Sequence, residues 1–415
     1  MSAAPAVRQP GFPRLWLGQT MSLLGSQVTL IALPLTAILT LHASADQMGI
    51  LRVALTAPFP LFGLLAGAWV DRRSRLSTLT GSSVAQAALL AAVPVLALSH
   101  GLRIEFLYGI AFVLGIMTVL FDVAYQAFLP SLVRSETLVA ANSKLETSRS
   151  MTQVVGPSLG GVIVQLVTAP LAILADAMSF VFLAALLRSI RDPEPEPAPV
   201  EQPSLLREIR EGLVALLGHP MLRSITITTT LVNLTISLLT PILILYMVQT
   251  LHLTPALVGV VLMISGLGGV LGAMAGGAVG GRLPVPIILG LGLLLCAVGS
   301  LLIATATGPM VVVLAMLVAG LAAFGFGVPF FNVNQLSLRQ ALTPPRLQAR
   351  VHATSRALTW GALPIGAFLG GQLGEHLGLR PTLAISGCGT LVAGAIAFVG
   401  VLLASRGQPD PLRAD

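Results

Sequence analysis

Long apolar runs recur along almost the whole of this 415-residue chain and constrain its fold more than any other feature. As a helix, a run of about 18 residues or more is long enough to cross the ~30 Å hydrocarbon core of a bilayer. Lipid offers no partner to backbone N–H and C=O groups, so a long apolar run that crosses it alone does so as a helix satisfying its own hydrogen bonds. Twelve such runs can be marked out, at roughly 14–41, 47–70, 77–98, 104–128, 142–166, 169–190, 222–248, 256–280, 284–306, 309–331, 350–373 and 381–404. Gly and Pro interrupt many of them, as membrane helices tolerate. With 55% hydrophobic and 9% charged residues, the chain carries too little charge to cover a water-soluble globule. The sequence predicts an all-α membrane protein of twelve transmembrane helices.

The net charge of +7 raises the question of nucleic acid, and the positions of the cations answer it. With the N-terminus placed in the cytoplasm, Arg52 falls inside a span and Arg103 and Arg380 fall outside. The other twenty of the 23 Lys and Arg lie in, or at the ends of, cytoplasmic segments. That asymmetry is the positive-inside rule, so the basicity encodes topology, both termini are expected in the cytoplasm, and no nucleic-acid partner is expected. Cys296 and Cys388 lie within spans with no CxxC or CxxH spacing, so no metal site and no disulfide framework is expected. The first apolar run is too long for a cleavable leader and has no small-residue cleavage site at its end. A single Lys beside 22 Arg fits a GC-rich bacterial gene, hence an expected place in a bacterial inner membrane.

The chain changes character once. Arg191 to Pro203, rich in Pro and Glu, should be extended and solvated. Ser204 to Leu217 then alternates apolar and charged residues at helical spacing, which predicts an amphipathic helix on the cytoplasmic face. The expected plan is a six-helix bundle at 1–190, a linker with that helix at 191–221, and a second six-helix bundle at 222–415. The halves also repeat. A shift of 210 sets Gly49 on Gly259, Gly67 on Gly277 and Arg72 on Arg282, but Asp71 on Gly281; a shift of 207 sets Arg149 on Arg356 and Pro157 on Pro364. Such repeats mark transporters whose substrate site lies between related halves near the midplane.

Between the second and third spans the chain reads Gly67-Ala-Trp-Val-Asp71-Arg72-Arg73-Ser74-Arg75. This stretch resembles the G-x-x-x-D-R-x-G-R-R/K loop motif between transmembrane helices 2 and 3 of the major facilitator superfamily (MFS). Gly67, Asp71, Arg72 and Arg75 match, whereas Ser74 and Leu76 depart. Gly67 would let the end of helix 2 approach a neighbour closely. Asp71, an anion at the C-terminal end of its own helix, needs an external positive partner, either Arg75 or the N-terminus of a facing helix. The resemblance implies that it bonds the start of helix 11, near Gln348–Val351, and locks the cytoplasmic side. The alternative is a positive-inside loop with an incidental acid.

Gly156-Pro157-Ser-Leu-Gly160-Gly161 in the fifth span resembles the G-P-x-x-G-G core of the helix 5 motif of facilitator exporters, with Thr152 where an upstream glycine is usual. The same residues spell G-x-S-x-G, but no strand–turn–helix context surrounds Ser158 and no His/Asp set accompanies it, so a hydrolase nucleophile is not expected. Phe121 to Val133, Leu138 to Asn142, Arg339-Gln340, Thr343-Pro344 and Arg350-Val351 resemble the branch holding bacterial enterobactin exporters and macrolide efflux proteins. That resemblance implies a fold of two pseudo-symmetric six-helix bundles.

Ionisable groups within the bilayer are expensive and mark function by default. The candidates for a proton or charge relay are Asp122, Arg149, Asp176 and Arg52. Asp122 lies roughly 12 Å from the cytoplasmic end of helix 4, at a depth comparable to Arg149, and the two are expected to pair. Asp176 on helix 6 is a second candidate proton carrier, with a helix-packing hydrogen bond as the alternative, and Arg52 lies near enough to the outer end of helix 2 to snorkel to water. Polar stripes mark faces that could line a cavity: Gln19, Ser22 and Ser26 on helix 1, Tyr125 on helix 4, Asn233 and Ser237 on helix 7, and Asn332 near the end of helix 10, with Arg356 on helix 11. Interhelical hydrogen bonding would explain the same stripes. A mostly apolar wall with scattered hydroxyls and amides suits an amphiphile better than a sugar.

The expected activity is proton-coupled efflux of a hydrophobic or amphiphilic small molecule, a drug or a siderophore, by a monomer that alternates access across the bilayer. The proton gradient would supply energy and no cofactor is expected. An MFS importer or facilitator of a nutrient or metabolite is the alternative. An intramembrane enzyme is remote, because His42, His100, His252 and His376 all fall in outer loops.

Overall fold

The computed structural model describes residues 11–70, 72–190, 205–279 and 283–404. The described residues form helices and no strand. In chain order these are α1 (Gly11–Leu35), α2 (Ala45–Thr56), α3 (Pro58–Val70), α4 (Arg75–Leu98), α5 (Ile104–Leu132), α6 (Leu138–Val167), α7 (Ala169–Arg188), α8 (Leu205–Gly218), α9 (Pro220–Leu245), α10 (Pro255–Val279), α11 (Val285–Ala304), α12 (Met310–Leu342), α13 (Gln348–His376) and α14 (Leu379–Ala404). Ten helical segments are individually long and apolar enough to cross a membrane by length and composition.

The two expected spans not among those ten are also helical. Residues 47–70 form α2 and α3, of 12 and 13 residues, which meet at Ala57. Pro58 opens α3 because it has no N–H to continue the ladder of α2. Residues 350–373 lie in the 29-residue α13, which is more polar because it carries Arg350, His352, Arg356 and Glu375. The Pro/Glu-rich stretch 191–203 lies outside the described residues.

The internal repeat is written into the backbone. After α1 the helix widens into a π-turn at Thr36–Thr40, and after α9 it does so again at Tyr246–Thr250, at the same offset of 210. Each turn ends on a histidine in the left-handed region, His42 and His252, both with φ 53°. Each is closed by equivalent backbone bonds, Ala43 N–H to Ala37 O (2.9 Å) and Leu253 N–H to Met247 O (3.0 Å). Short 3-10 turns at Ser135–Thr137 and Pro345–Leu347 precede α6 and α13, again 210 apart. A register preserved in caps and turns shows that the repeat lies in how each half folds, beyond a few shared residues.

The chain forms two compact units. The first comprises residues 1–200 together with Met247–Met263, most of the π-turn after α9 and the first part of α10. In it α1 packs on α7 and α6, α4 packs on α7 and α5, and α2 and α3 pack on α5. The second comprises residues 201–246 and 264–415. There α11 packs on α12 and α14, and α9 on α13 and α14. Its core is apolar, with Ile225, Leu289, Leu293, Phe331, Leu338 and Val401 each at most 2% exposed. Many large apolar side chains face outward, Val311 at 79% and Leu166 at 77% among them, as expected where lipid rather than water is the solvent.

Candidate functional site

In the loop motif, Asp71, and Gly281 and Arg282 of the C-terminal copy, lie outside the described residues. The described residues of the motif are divided among separate tasks. Arg72 is exposed in the turn after α3. Arg73 lays its guanidinium over the Trp69 ring, 4.7 Å from the centroid. Arg75, the first residue of α4, donates from Nη1 to the Ala127 carbonyl of α5 at 3.0 Å, tying the loop to the neighbouring helix. Ser74, where the family pattern has glycine, has φ −58° and needs no glycine; its hydroxyl caps α4 by accepting the Ser77 N–H at 3.2 Å. Gly67 corrects the sequence reading. A Cβ built there meets nothing within 4 Å among the described residues, so the close helix approach expected at this glycine is not found.

Close approach falls instead on the helix 5 motif. Gly156, Pro157, Gly160 and Gly161 are all buried in α6. A Cβ at Gly156 would strike the Gln27 side chain of α1, and one at Gly160 would lie 3.1 Å from Val28 Cα. One at Gly161 would lie 3.0 Å from Gly259 Cα and 3.1 Å from Gly259 N, in the part of α10 that clusters with this unit. Gln165, one turn further, accepts the Ala256 N–H at 3.1 Å. The glycines therefore serve two faces of α6 at once. Ser158 sits in the middle of this helix and donates back to Val155 O at 2.8 Å, an ordinary intrahelical bond that leaves no role for the G-x-S-x-G reading.

Asp176, on α7, is 2% exposed. Ser179 donates to its Oδ1 at 3.1 Å and Ser26, across on α1, at 3.4 Å. Thr29, one turn along α1, has a buried hydroxyl without another partner and adjoins the same carboxylate. The approach is possible because residue 25 is glycine: a Cβ there would lie 2.7 Å from Asp176 Oδ1 and 2.8 Å from Ser179 Cβ. Asp176 makes no ion pair among the described residues. Sequence reasoning listed Asp176 and Ser26 separately and missed Gly25 as the residue that joins them.

A second group forms around Tyr125 on α5. The charges of Arg149, Asp122 and Glu146 all act on its hydroxyl, and its ring stacks on Phe121 with centroids 6.0 Å apart. Asp122 is half-buried and Arg149 exposed, so the expected pair shares one neighbourhood, but Arg149 is not sunk in apolar surroundings. Arg52 is half-buried on α2.

The proposed cavity stripes need a correction too. Ser22 and Ser237 are buried at 5% and 4%, and Ser237 abuts Gly366 of α13, where a Cβ would come within 2.7 Å of its own Cβ. Ser26 is engaged with Asp176, and Asn233 donates across to the Thr359 carbonyl of α13 at 2.8 Å. Ser26, Asn233 and Ser237 thus contact neighbouring helices, as polar groups in an apolar bundle find partners there, and Ser22 is buried. Gln19 is half-buried, its Oε1 buried without a partner. Tyr125 and Asn332 retain accessible surface, as does Arg356, whose guanidinium lies 3.9 Å over the Trp360 ring.

Two arrangements went unread in the sequence. Arg339, 8% exposed on α12, donates to Ser355 of α13 and to Gln335 Oε1 one turn back at 3.3 Å. The i, i+4 spacing of Gln335 and Arg339 was the available signal. The other is the docking of α8 in the second unit. Glu211 pairs with Arg350, Gly212 abuts the Arg350 backbone, and Leu216 is buried against Leu222 and Val351. The expected amphipathic helix thus has a protein partner, the first turns of α13. Among the described residues no group of three His, Cys, Asp or Glu could hold a metal ion.

The apolar multi-span helices, the two-fold register and the glycine-packed helix 5 define a multi-pass membrane transporter fold. The chain matches the Major Facilitator Superfamily over residues 15–351 and 225–414, and it belongs to that family; it is a transporter rather than an enzyme. It is 28% identical over 393 residues to the multidrug efflux pump Tap of Mycolicibacterium fortuitum, covering 90% of this chain and 91% of that protein. It is 23% identical over 385 residues to macrolide efflux protein A of Streptococcus pyogenes, covering 91% and 92%. A solved bacterial homologue of the iron transporter ferroportin, in an inward-facing state, shares the fold with a TM-score of 0.74 at 19% identity, covering 94% of this chain and 98% of that one.

Proposed function

We propose that the chain exports hydrophobic or amphiphilic small molecules from a bacterial cell, as a monomer in the inner membrane with both termini in the cytoplasm, and that inward proton flow drives the export. The observation that carries this reading is the similarity over nine tenths of the length to two efflux proteins, Tap and macrolide efflux protein A. The accessible candidates, Tyr125 in the first unit and Asn332 and Arg356 in the second, supply a phenol, an amide and a guanidinium, the scattered polar contacts that suit an amphiphile. Access would alternate by rocking of the halves 14–190 and 222–404, with Asp71 as the N-terminal half's lock on the start of α13. The second half carries Gly281 at the equivalent position, so the lock would be one-sided.

The test is accumulation of ethidium, a macrolide and a siderophore in cells with and without the protein, repeated with a protonophore. Export predicts lower accumulation of at least one compound and its return to the control level once the proton gradient is collapsed. Equal accumulation of every compound removes the export reading, and higher accumulation in the expressing cells would indicate an importer.

A further inference from the structure

Proton coupling, proposed above, needs a site that takes up and releases a proton, and the inference here rests on that reading. We infer that the site is Asp176, held between α1 and α7, rather than Asp122 on α5. Three observations carry it. First, Asp176 is the more deeply enclosed acid, 2% exposed, whereas Asp122 is half-buried. Second, among the described residues no cation neutralises it. The elements packed on α7 are α1, α4, α6 and the π-turn after α1. Arg14 of α1 is bonded to the Ser189 carbonyl at 2.6 Å and Arg75 of α4 to Ala127. On α6, Lys144 lies over the Trp16 ring, while Glu146 and Arg149 act at Tyr125. The π-turn carries no ionisable residue, and Arg188 ends α7 three turns away. A carboxylate buried without a counter-cation is costly, and taking up a proton removes that cost.

Third, the surrounding hydroxyls can serve both states. With Asp176 ionised, Ser179 and Ser26 turn their O–H groups to the carboxylate. With Asp176 protonated, Ser179 donates to the Asp176 backbone carbonyl, 2.7 Å away, and its oxygen is free to accept the new carboxyl O–H. A hydroxyl is both donor and acceptor, so the exchange needs only its rotation. The space also selects the ion. Hard metal cations demand a cage of several oxygens around an ion-sized void. Here one carbon added at Gly25 already collides with Asp176 and Ser179, so the α1 side of the carboxylate holds no such void.

The experiment is pH-difference infrared spectroscopy of the full-length protein reconstituted in lipid, comparing wild type with Asp176→Asn and Asp122→Asn, alongside ethidium export into everted vesicles driven by an imposed pH gradient. Asp176→Asn should lose the titrating protonated-carboxyl band, which Asp122→Asn keeps, and should lose gradient-driven ethidium export. An unchanged band in Asp176→Asn, or a band lost only in Asp122→Asn, overturns the assignment. Should Asp176→Asn fail to fold, Ser26→Ala with Ser179→Ala must shift the midpoint of the band's titration, and an unmoved midpoint refutes the site. Gradient-insensitive export by wild type with the band present would refute the coupling reading alone.

Discussion

Gly25 offers the sharpest perturbation of the α1–α7 contact. In Gly25→Ala the new methyl would stand 2.8 Å from Ser179 Cβ and 2.7 Å from Asp176 Oδ1. Carbon atoms in contact sit about 3.5–4.0 Å apart, so the two helices must part locally by roughly 0.7 Å. Neither obstacle is the free end of a long side chain, and rotation alone cannot relieve the clash. Overpacking of this kind costs about 1–3 kcal/mol. The Ser26–Asp176 bond, already 3.4 Å long, would stretch to roughly 4 Å, beyond hydrogen-bonding range. Gly67→Ala is the internal control. Nothing lies within 4 Å of its added methyl among the described residues, and Ala in a helix interior is favoured over Gly by roughly 0.5–1 kcal/mol. Thermal unfolding of the detergent-solubilised proteins, followed by size-exclusion elution, should place Gly25→Ala clearly below wild type and Gly67→Ala at or above it. Wild-type stability in Gly25→Ala, or equal loss in both variants, would refute the packing argument.

Other outcomes follow from the same geometry. If Asp122 and Arg149 are partners, Asp122→Arg combined with Arg149→Asp should recover the folded yield that either single reversal loses; a double variant no better than the singles rules the pair out. Gly212→Ala places a methyl 2.7 Å from the Arg350 carbonyl, so it should loosen α8 by about 1–3 kcal/mol and expose the 205–218 segment to protease. Glu211→Ala, which removes a pair whose members are each 34% exposed, should cost under about 1 kcal/mol. Protease resistance in Gly212→Ala equal to wild type would show that α8 is not held by this contact. Asp71→Asn should insert and express normally while slowing ethidium export; an unchanged export rate would reduce the loop motif to a topology signal.

The membrane class, the family and the repeat were legible because each depends on periodic or punctuating residues. Apolar runs, arginine placement and the G-P-x-x-G-G core survive in any reading of the chain. The repeat proved deeper than its residues, since the π-turns at Thr36–Thr40 and Tyr246–Thr250 share only the final Thr at equivalent positions yet share a fold. The site was legible only as a list. A polar stripe on one helix says that a face is not lipid-exposed, and it cannot say whether the partner is substrate or another helix. Ser26, Asn233 and Ser237 turned out to face helices. Nor can a single sequence distinguish a glycine that permits contact, as Gly25 and Gly161 do, from one such as Gly67 that has open space beside it. That distinction depends on what the neighbouring helix presents at the same level, which is information held in the packing.

Proteoliposomes containing the full-length protein would show whether export is coupled to protons. With an imposed pH gradient and no other energy source, ethidium or a macrolide should move against its concentration gradient, and each movement should be accompanied by countermovement of protons that Asp176→Asn abolishes. Substrate movement that merely equilibrates, indifferent to the pH gradient, would contradict the account.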